Sequence, residues 1–239
     1  MLKVEKYLRK CLDSVYSLNL DNKEVVLVND GSTDTSINIL NEFKNKYPNK
    51  TKLITKKNQG LSEARNIGIK NSNGKYILFV DSDDLFSSDF VEYFMQLEQN
   101  FDLLFTDVKN IEGNVSYTSV SQNDKLAIFK ANFGIGKFTI HPGIAGKFFR
   151  SQFVQDNQFR FNEKLSFAED ILFNFSALTI ANNVLLDDKE FYYVNGTHSL
   201  MYYNEKNLTG QLEFVEEFRL LLKQYPESDS KDLIERMVV

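Results

Sequence analysis

Residues Tyr76 to Val80 read YILFV, and the next four are Asp81, Ser82, Asp83 and Asp84. A short apolar run of this kind fits a strand buried on both faces, and such strands belong to sheets covered by helices. The switch to three carboxylates fixes where the strand ends, because unpaired charges cannot continue into a core. Like charges this close raise one another's pKa unless donors or a cation compensate. Oxygen ligands of this type suit magnesium or manganese. A capped turn is the competing reading, with Ser82 or Asp84 opening the next helix. The run also begins like a calcium loop, but it lacks the central glycine and terminal glutamate that such a loop needs.

The flanking pattern supplies the rest of the sheet. Val4, Tyr7, Leu8, Cys11, Leu12 and Val15 fall at helical spacing, so Cys11 reads as a core filler. Glu24 to Val28 reads as a strand that runs into NDGSTD. A second helix follows, capped by Thr33 or Asp34, with Ile37, Leu40, Phe43 and Tyr47 on one face and Pro48 at its end. Leu53 to Thr55 is a short strand. The helix from Leu61 carries Ala64, Ile67 and Gly68 on its packing side and breaks at Asn73-Gly74. Strands alternating with helices predict an α/β fold with a mixed, mostly parallel sheet, whose ligands bind beyond the carboxyl ends of the strands. Further on, a helix (90–97), strands (103–108, 115–120), a helix (124–133), an apolar helix (169–181), two strands (183–186, 191–194) and a helical region (208–238) broken near Pro226 are expected.

Composition narrows the function classes. With 28 Lys+Arg against 33 Asp+Glu, the net charge of −5 offers no basic footprint for nucleic acid. No run approaches the roughly 18 apolar residues of a spanning helix. Residues 1–10 do not resemble a secretory signal, and the single Cys11 allows no internal disulfide. The expectation is a soluble, cytoplasmic chain with one core of its own.

Three further segments carry candidate chemistry. VNDGSTD (28–34) offers amides and carboxylates, and an aspartate there can accept the imide N–H of uracil; a turn plus helix cap is the alternative. In KNQGLSEARNIG (57–68), Arg65 can pair with a diphosphate or with Glu63 on the surface. FAEDILF (167–173) puts Glu169 and Asp170 at the start of an apolar helix, where a carboxylate caps the helix or, over a pocket, serves as a general base. His198 is a metal or phosphate ligand or a solvated loop residue, and His141 in TIHPG reads as a turn. Lys147 in GKFF faces a phosphate or snorkels to the surface.

In this order VEKYLRKCLDSV, VVLVNDGSTDTS, NQGLSEARNIGIKNSNGKYILFVDSDD, GKFF and FNEKLSFAEDILFN resemble the bacterial family 2 glycosyltransferases of GT-A fold, from Val4 to about Leu200. The resemblance implies an inverting transferase that uses a nucleotide sugar, most often a UDP-sugar, and extends a glycan or lipid-linked acceptor in surface polysaccharide synthesis. It implies that Asp30 contacts the base, that Arg65 lies near the diphosphate, that Asp81 holds the ribose, and that Ser82 belongs to the nucleotide-sugar site. Asp83 would hold a divalent metal, Mn2+ or Mg2+, with Asp81 and His198 as further ligands and Asp84 as a helper. Asp170 would be the catalytic base and Glu169 would line the sugar site. The implied organisation is a GT-A domain over residues 1–200, with a nucleotide-binding half at 1–108 and an acceptor half at 109–200, followed by a helical extension (201–239).

The resemblance departs at the amino end. Family members open with an apolar strand and a Pro-x-Tyr-Asn type loop, whereas Met1-Leu2-Lys3 stands here, so a central strand is expected to be missing. That keeps a second function open, a catalytically impaired binding protein of transferase descent. A sugar-1-phosphate nucleotidyltransferase is disfavoured because no Gly-rich, basic phosphate loop occurs near the amino end. The tail after Leu208, acidic at Glu213, Glu216 and Glu217, is a candidate for docking at the inner face of the cell membrane or on a second subunit.

Overall fold

The computed structural model describes residues 5–18, 22–97, 100–165, 167–195 and 208–238. In chain order the elements are α1 (Glu5–Ser17), β1 (Val25–Asp30), α2 (Ser36–Lys46), β2 (Thr51–Lys56), α3 (Leu61–Asn71), β3 (Tyr76–Leu78), β4 (Leu85–Phe86), α4 (Phe90–Gln96), β5 (Leu103–Phe105), β6 (Asn114–Thr118), α5 (Gln122–Ala131), β7 (Lys147–Arg150), α6 (Ser151–Asp156), α7 (Glu169–Ile180), β8 (Asn183–Asp187), β9 (Tyr192–Tyr193), α8 (Leu208–Leu222) and α9 (Glu227–Val238). The α/β reading holds. The expected mixed sheet holds as well, with more antiparallel pairing than expected: among the described residues only β1–β2 and β5–β8 run parallel, and the other pairings are antiparallel. Two of these antiparallel pairings come from β7, a strand not foreseen in GKFF, which inserts between β3 and β5.

The five-stranded sheet runs β3-β7-β5-β8-β6, and the period-two alternation of its strands decides which core each side chain joins. Ile77, Phe149, Leu103 and Val184 sit in one row across it and face the main core with Phe105 and Leu186. Their neighbours Leu104, Phe148 and Leu185 point to the opposite face, where Phe86, Phe90, Phe191 and Tyr192 cover them. The main core is closed by α5, α7 and α8, and Phe175, Phe214, Phe218 and Leu222 are all buried in it. Each such side chain contributes on the order of 1.5–3 kcal/mol by leaving water. A third cluster (Leu8, Leu12, Tyr16, Leu27, Leu40, Phe43) packs α1 and α2 on the β1–β2 pair.

Local chemistry accounts for the boundaries. A reciprocal capping box between Ser121 and Asp124 opens α5. Gly60, at φ 98, supplies the backbone turn into α3 that a side-chain-bearing residue adopts only with strain. The expected packing face of α3 is corrected: Ser62, Arg65, Asn66 and Ile69 are buried, and Ala64, Ile67 and Gly68 are only partly so. The helix is rotated because Arg65 and Asn66 find polar partners inside, which the apolar pattern alone did not weigh.

Candidate active site

The sheet delivers the DSDD loop at the end of β3, and α1 lies against it: the buried Cys11 Sγ reaches the Asp81 carbonyl oxygen at 3.5 Å. Burial among these carboxylates pushes the thiol pKa up to about 12, so Cys11 is a packed thiol, as expected, and not a nucleophile. The loop closes as a turn, with Asp84 N donating to Asp81 O at 3.1 Å, and Ser82 lies within it.

Its three carboxylates divide. Asp84 is buried at 4% exposure and is fully engaged: Tyr192 Oη donates to Oδ2 at 2.8 Å and Asn195 N to Oδ1 at 2.7 Å. The same Tyr192 oxygen accepts the Asp81 N–H at 2.9 Å. Burial raises the Asp84 pKa, and these two donors oppose the rise. The expectation of three carboxylates crowded together is therefore corrected: Asp84 faces inward and braces the loop. Asp83 is half-buried, and its oxygens take no hydrogen bond from a described residue. Among the described residues no group of three protein ligands could hold a metal. Magnesium or manganese can be held by one or two carboxylates when substrate phosphates complete the shell, and the groups of this loop with oxygens left open for that are Asp83 and the second oxygen of Asp81.

Arg65 joins this loop to α7. Its guanidinium, 7% exposed, donates from Nη2 to Asp81 Oδ1 and from Nη1 to Glu169 Oε1, both at 2.9 Å. It lies over the Phe161 ring, 5.2 Å from the centroid, and that ring stacks on Phe173 at 4.1 Å. The surface pairing with Glu63 does not occur. Burial works against the Arg65 charge, but Asp81 and Glu169 more than offset it, so its pKa stands above the ordinary value. Burial and then the Asp170 charge raise the Glu169 carboxyl, and Arg65 draws it back.

Asp30 sits at the end of β1, where its carboxylate takes Lys56 Nζ at 2.5 Å and the N–H groups of Gln59 and Gly60 at 2.9 Å each. It thereby fixes the start of α3, the helix that carries Arg65. Asp170 Oδ1 accepts its neighbour's N–H, Ile171 N, at 2.8 Å. The residue before the Glu169–Asp170 pair, Ala168, is held in the left-handed region at φ 55, a strain that accompanies functional sites in many folds. Asp30, Arg65, Asp81 and Glu169 are thus connected through α3, with Asp83 and Asp170 beside them in sequence; His198 lies outside the described residues.

Four residues were not assigned to the site from sequence. Tyr192 lay in a strand prediction. Lys147 does not snorkel to the surface: it is 2% exposed and donates to the carbonyls of His141, at 2.5 Å, and Gly143. Burial lowers its pKa to about 7. Asn174 Nδ2 holds the carbonyls of Pro142 (2.9 Å) and Gly143 (3.0 Å), and the exposed His141 begins that turn. The signal available was Asn174 itself, a polar residue in the apolar run ILFNFSAL, four positions after Asp170 and so on the same helix face.

The sequence pattern described as Glycosyl transferase family 2 matches residues 2–157. The chain belongs to that family. Poly(ribitol-phosphate) beta-N-acetylglucosaminyltransferase TarS of Staphylococcus aureus is 28% identical over 236 residues, 95% of this chain and 40% of TarS. The poly(ribitol-phosphate) beta-glucosyltransferase of Bacillus spizizenii is 31% identical over 221 residues, 88% of this chain and 34% of that protein. The chain thus spans well under half the length of these curated relatives. The crystal structure of S. aureus TarS residues 1–349 in complex with UDP-GlcNAc superimposes with a TM-score of 0.71 at 25% identity, covering 98% of this chain and 68% of that one. These likenesses agree with the GT-A fold expected from the motifs. Among the described residues no helix is long and apolar enough to cross a membrane.

Proposed function

We propose that this chain transfers a sugar from a UDP-sugar, with UDP-GlcNAc the first candidate, to a hydroxyl of a cell-surface polymer, inverting the anomeric centre. The observation that carries the reading is Arg65, which ties a carboxylate of the DSDD loop to the first carboxylate of the Glu169–Asp170 pair and so draws the donor side and the base side into one site. Relatives that act on poly(ribitol phosphate) and a neighbour that holds UDP-GlcNAc support both the donor and the polymer class.

On this reading Asp170 accepts the proton of the acceptor hydroxyl as its oxygen bonds to the anomeric carbon, and the bond from that carbon to the β-phosphate oxygen breaks with release of UDP. Asp83 and Asp81 would hold a divalent cation, Mn2+ or Mg2+, which neutralises charge developing on the departing diphosphate. Arg65 keeps Asp81 and Glu169 in register, Asp30 sets the start of α3 beside the nucleotide, and Glu169 lines the sugar site. The work of this reaction takes place on the cytoplasmic side, where nucleotide sugars are available.

Incubating the protein with UDP-GlcNAc, manganese and poly(ribitol phosphate) tests this. Asp83→Ala is expected to lose manganese-dependent UDP binding, and Asp170→Asn to keep binding while transfer falls by about 10²- to 10⁴-fold. Wild-type transfer by both variants would overturn the site assignment. UDP binding with neither transfer nor hydrolysis across a panel of sugars and polymers would favour a binding protein of transferase descent.

A further inference from the structure

The turn at residues 141–146, which leads from α5 into β7, lies against Asp170 and is held there by two buried side chains. Asn174 lies one helical turn beyond Asp170 on the same face of α7, and its side-chain amide holds the Pro142 and Gly143 carbonyls. The buried Lys147 ammonium gathers the carbonyls of His141 and Gly143 from the other side, against the Phe105 ring. The result is a turn with no room above Gly143. A Cβ there would lie 3.0 Å from Asp170 Oδ2 and 2.9 Å from His141 Cε1. The carboxylate and the imidazole therefore flank the same point. Asp107, which carries a left-handed backbone at φ 59, and Lys147 are the other charged groups whose fields reach His141.

His141 is exposed, and Nδ1 accepts the Gly143 N–H at 3.2 Å. Accepting at Nδ1 leaves the proton of the neutral imidazole on Nε2. That N–H makes no hydrogen bond to a described residue. The molecule thus holds an unused donor, fixed in tautomer by its own backbone, beside the carboxylate that on the preceding reading deprotonates the acceptor.

We propose that His141 binds the acceptor: its Nε2–H donates to an oxygen next to the attacking hydroxyl, which selects acceptors carrying a second oxygen beside the nucleophile, as a polyol or a sugar ring does. The inference rests on the reading of Asp170 as base. Lys147 and Asn174 are positioning residues that hold the turn, and Gly143 is the spacer that lets base and donor approach.

The experiment compares His141→Leu, which has no donor, with His141→Gln, which restores a side-chain N–H. Three quantities are read for each: UDP-GlcNAc affinity in manganese by calorimetry, hydrolysis of UDP-GlcNAc in the absence of acceptor, and the KM for poly(ribitol phosphate) or for an N-acetylhexosamine oligosaccharide, whichever supports transfer by the unaltered chain. His141→Leu is expected to raise the acceptor KM about 10-fold, the loss of one hydrogen bond, with donor affinity and hydrolysis unchanged. His141→Gln is expected to recover most of the loss. An unchanged acceptor KM in His141→Leu would overturn the proposal, and so would a parallel fall in donor affinity or hydrolysis. Asp170→Asn is assayed beside them. Full transfer by that variant would refute the base assignment instead, and absence of both transfer and hydrolysis in the unaltered chain would refute the transferase reading.

Discussion

Arg65→Gln tests whether the tie between the DSDD loop and α7 holds the site together. The two halves of that tie differ in worth. Asp81 is 41% exposed, so solvent screens its pairing to about 0–1 kcal/mol. Glu169 is 12% exposed, and removing the cation from a buried carboxylate costs about 3–5 kcal/mol. Because burial already raises the Glu169 pKa, the carboxyl can take up a proton once Arg65 is gone, which limits the loss to the lower end, about 3 kcal/mol at neutral pH. In a chain of this size that corresponds to a fall in Tm of about 6–12 °C. The sign with pH follows from linkage. Without Arg65 the folded Glu169 carboxyl titrates further above 4.5, its ordinary value, so the variant loses stability as pH rises through that window. The gap to the wild type should be widest at neutral pH and should shrink as pH falls toward 4.5. Denaturant unfolding at several pH values measures this, and adding Glu169→Gln to Arg65→Gln should recover part of the loss. A variant within about 0.5 kcal/mol of wild type at neutral pH, or a gap that grows on acidification, would refute the argument.

Tyr192→Phe removes the hydroxyl that accepts from Asp81 N and donates to Asp84, leaving a buried carboxylate short of a donor. It should cost about 1–3 kcal/mol in unfolding free energy and weaken manganese-dependent UDP binding without altering residual kcat by a comparable factor. The Lys147 ammonium, with its pKa lowered to about 7 from 10.5 by burial, is deprotonated in the folded chain over a range where the unfolded chain still holds the proton. Wild-type stability relative to Lys147→Met should therefore rise with pH above 7, by up to about 1.4 kcal/mol per pH unit; urea unfolding at pH 7, 8 and 9 checks it, and a constant difference would exclude this titration.

What could be read in the sequence divides by the range of the forces involved. Boundaries set by neighbours along the chain, such as the start of α7 at Glu169 and the break at Pro226, follow from local patterning and appear where expected, while β3 stops at Leu78, two residues short of the apolar run's end at Val80. The orientation of α3 does not, because Ala64 and Ile67 obey the apolar rule while Arg65 answers to carboxylates 16 and 104 residues away. The same limit hid the division of labour in DSDD. Asp83 and Asp84 are equivalent by type and spacing, and it is Tyr192 and Asn195, more than 100 positions beyond Asp84, that distinguish the open carboxylate from the bracing one. Lys147 and His141 were ambiguous for the same reason, since a lysine snorkels by default and a histidine before proline reads as a turn until a partner on α7 is known. Polar residues within apolar runs, Arg65 and Asn66 in α3 and Asn174 in α7, are the legible trace of these distant partners. Each interrupts a hydrophobic pattern at a cost that burial alone would not sustain, and each is buried because a carboxylate or carbonyl from another element meets it.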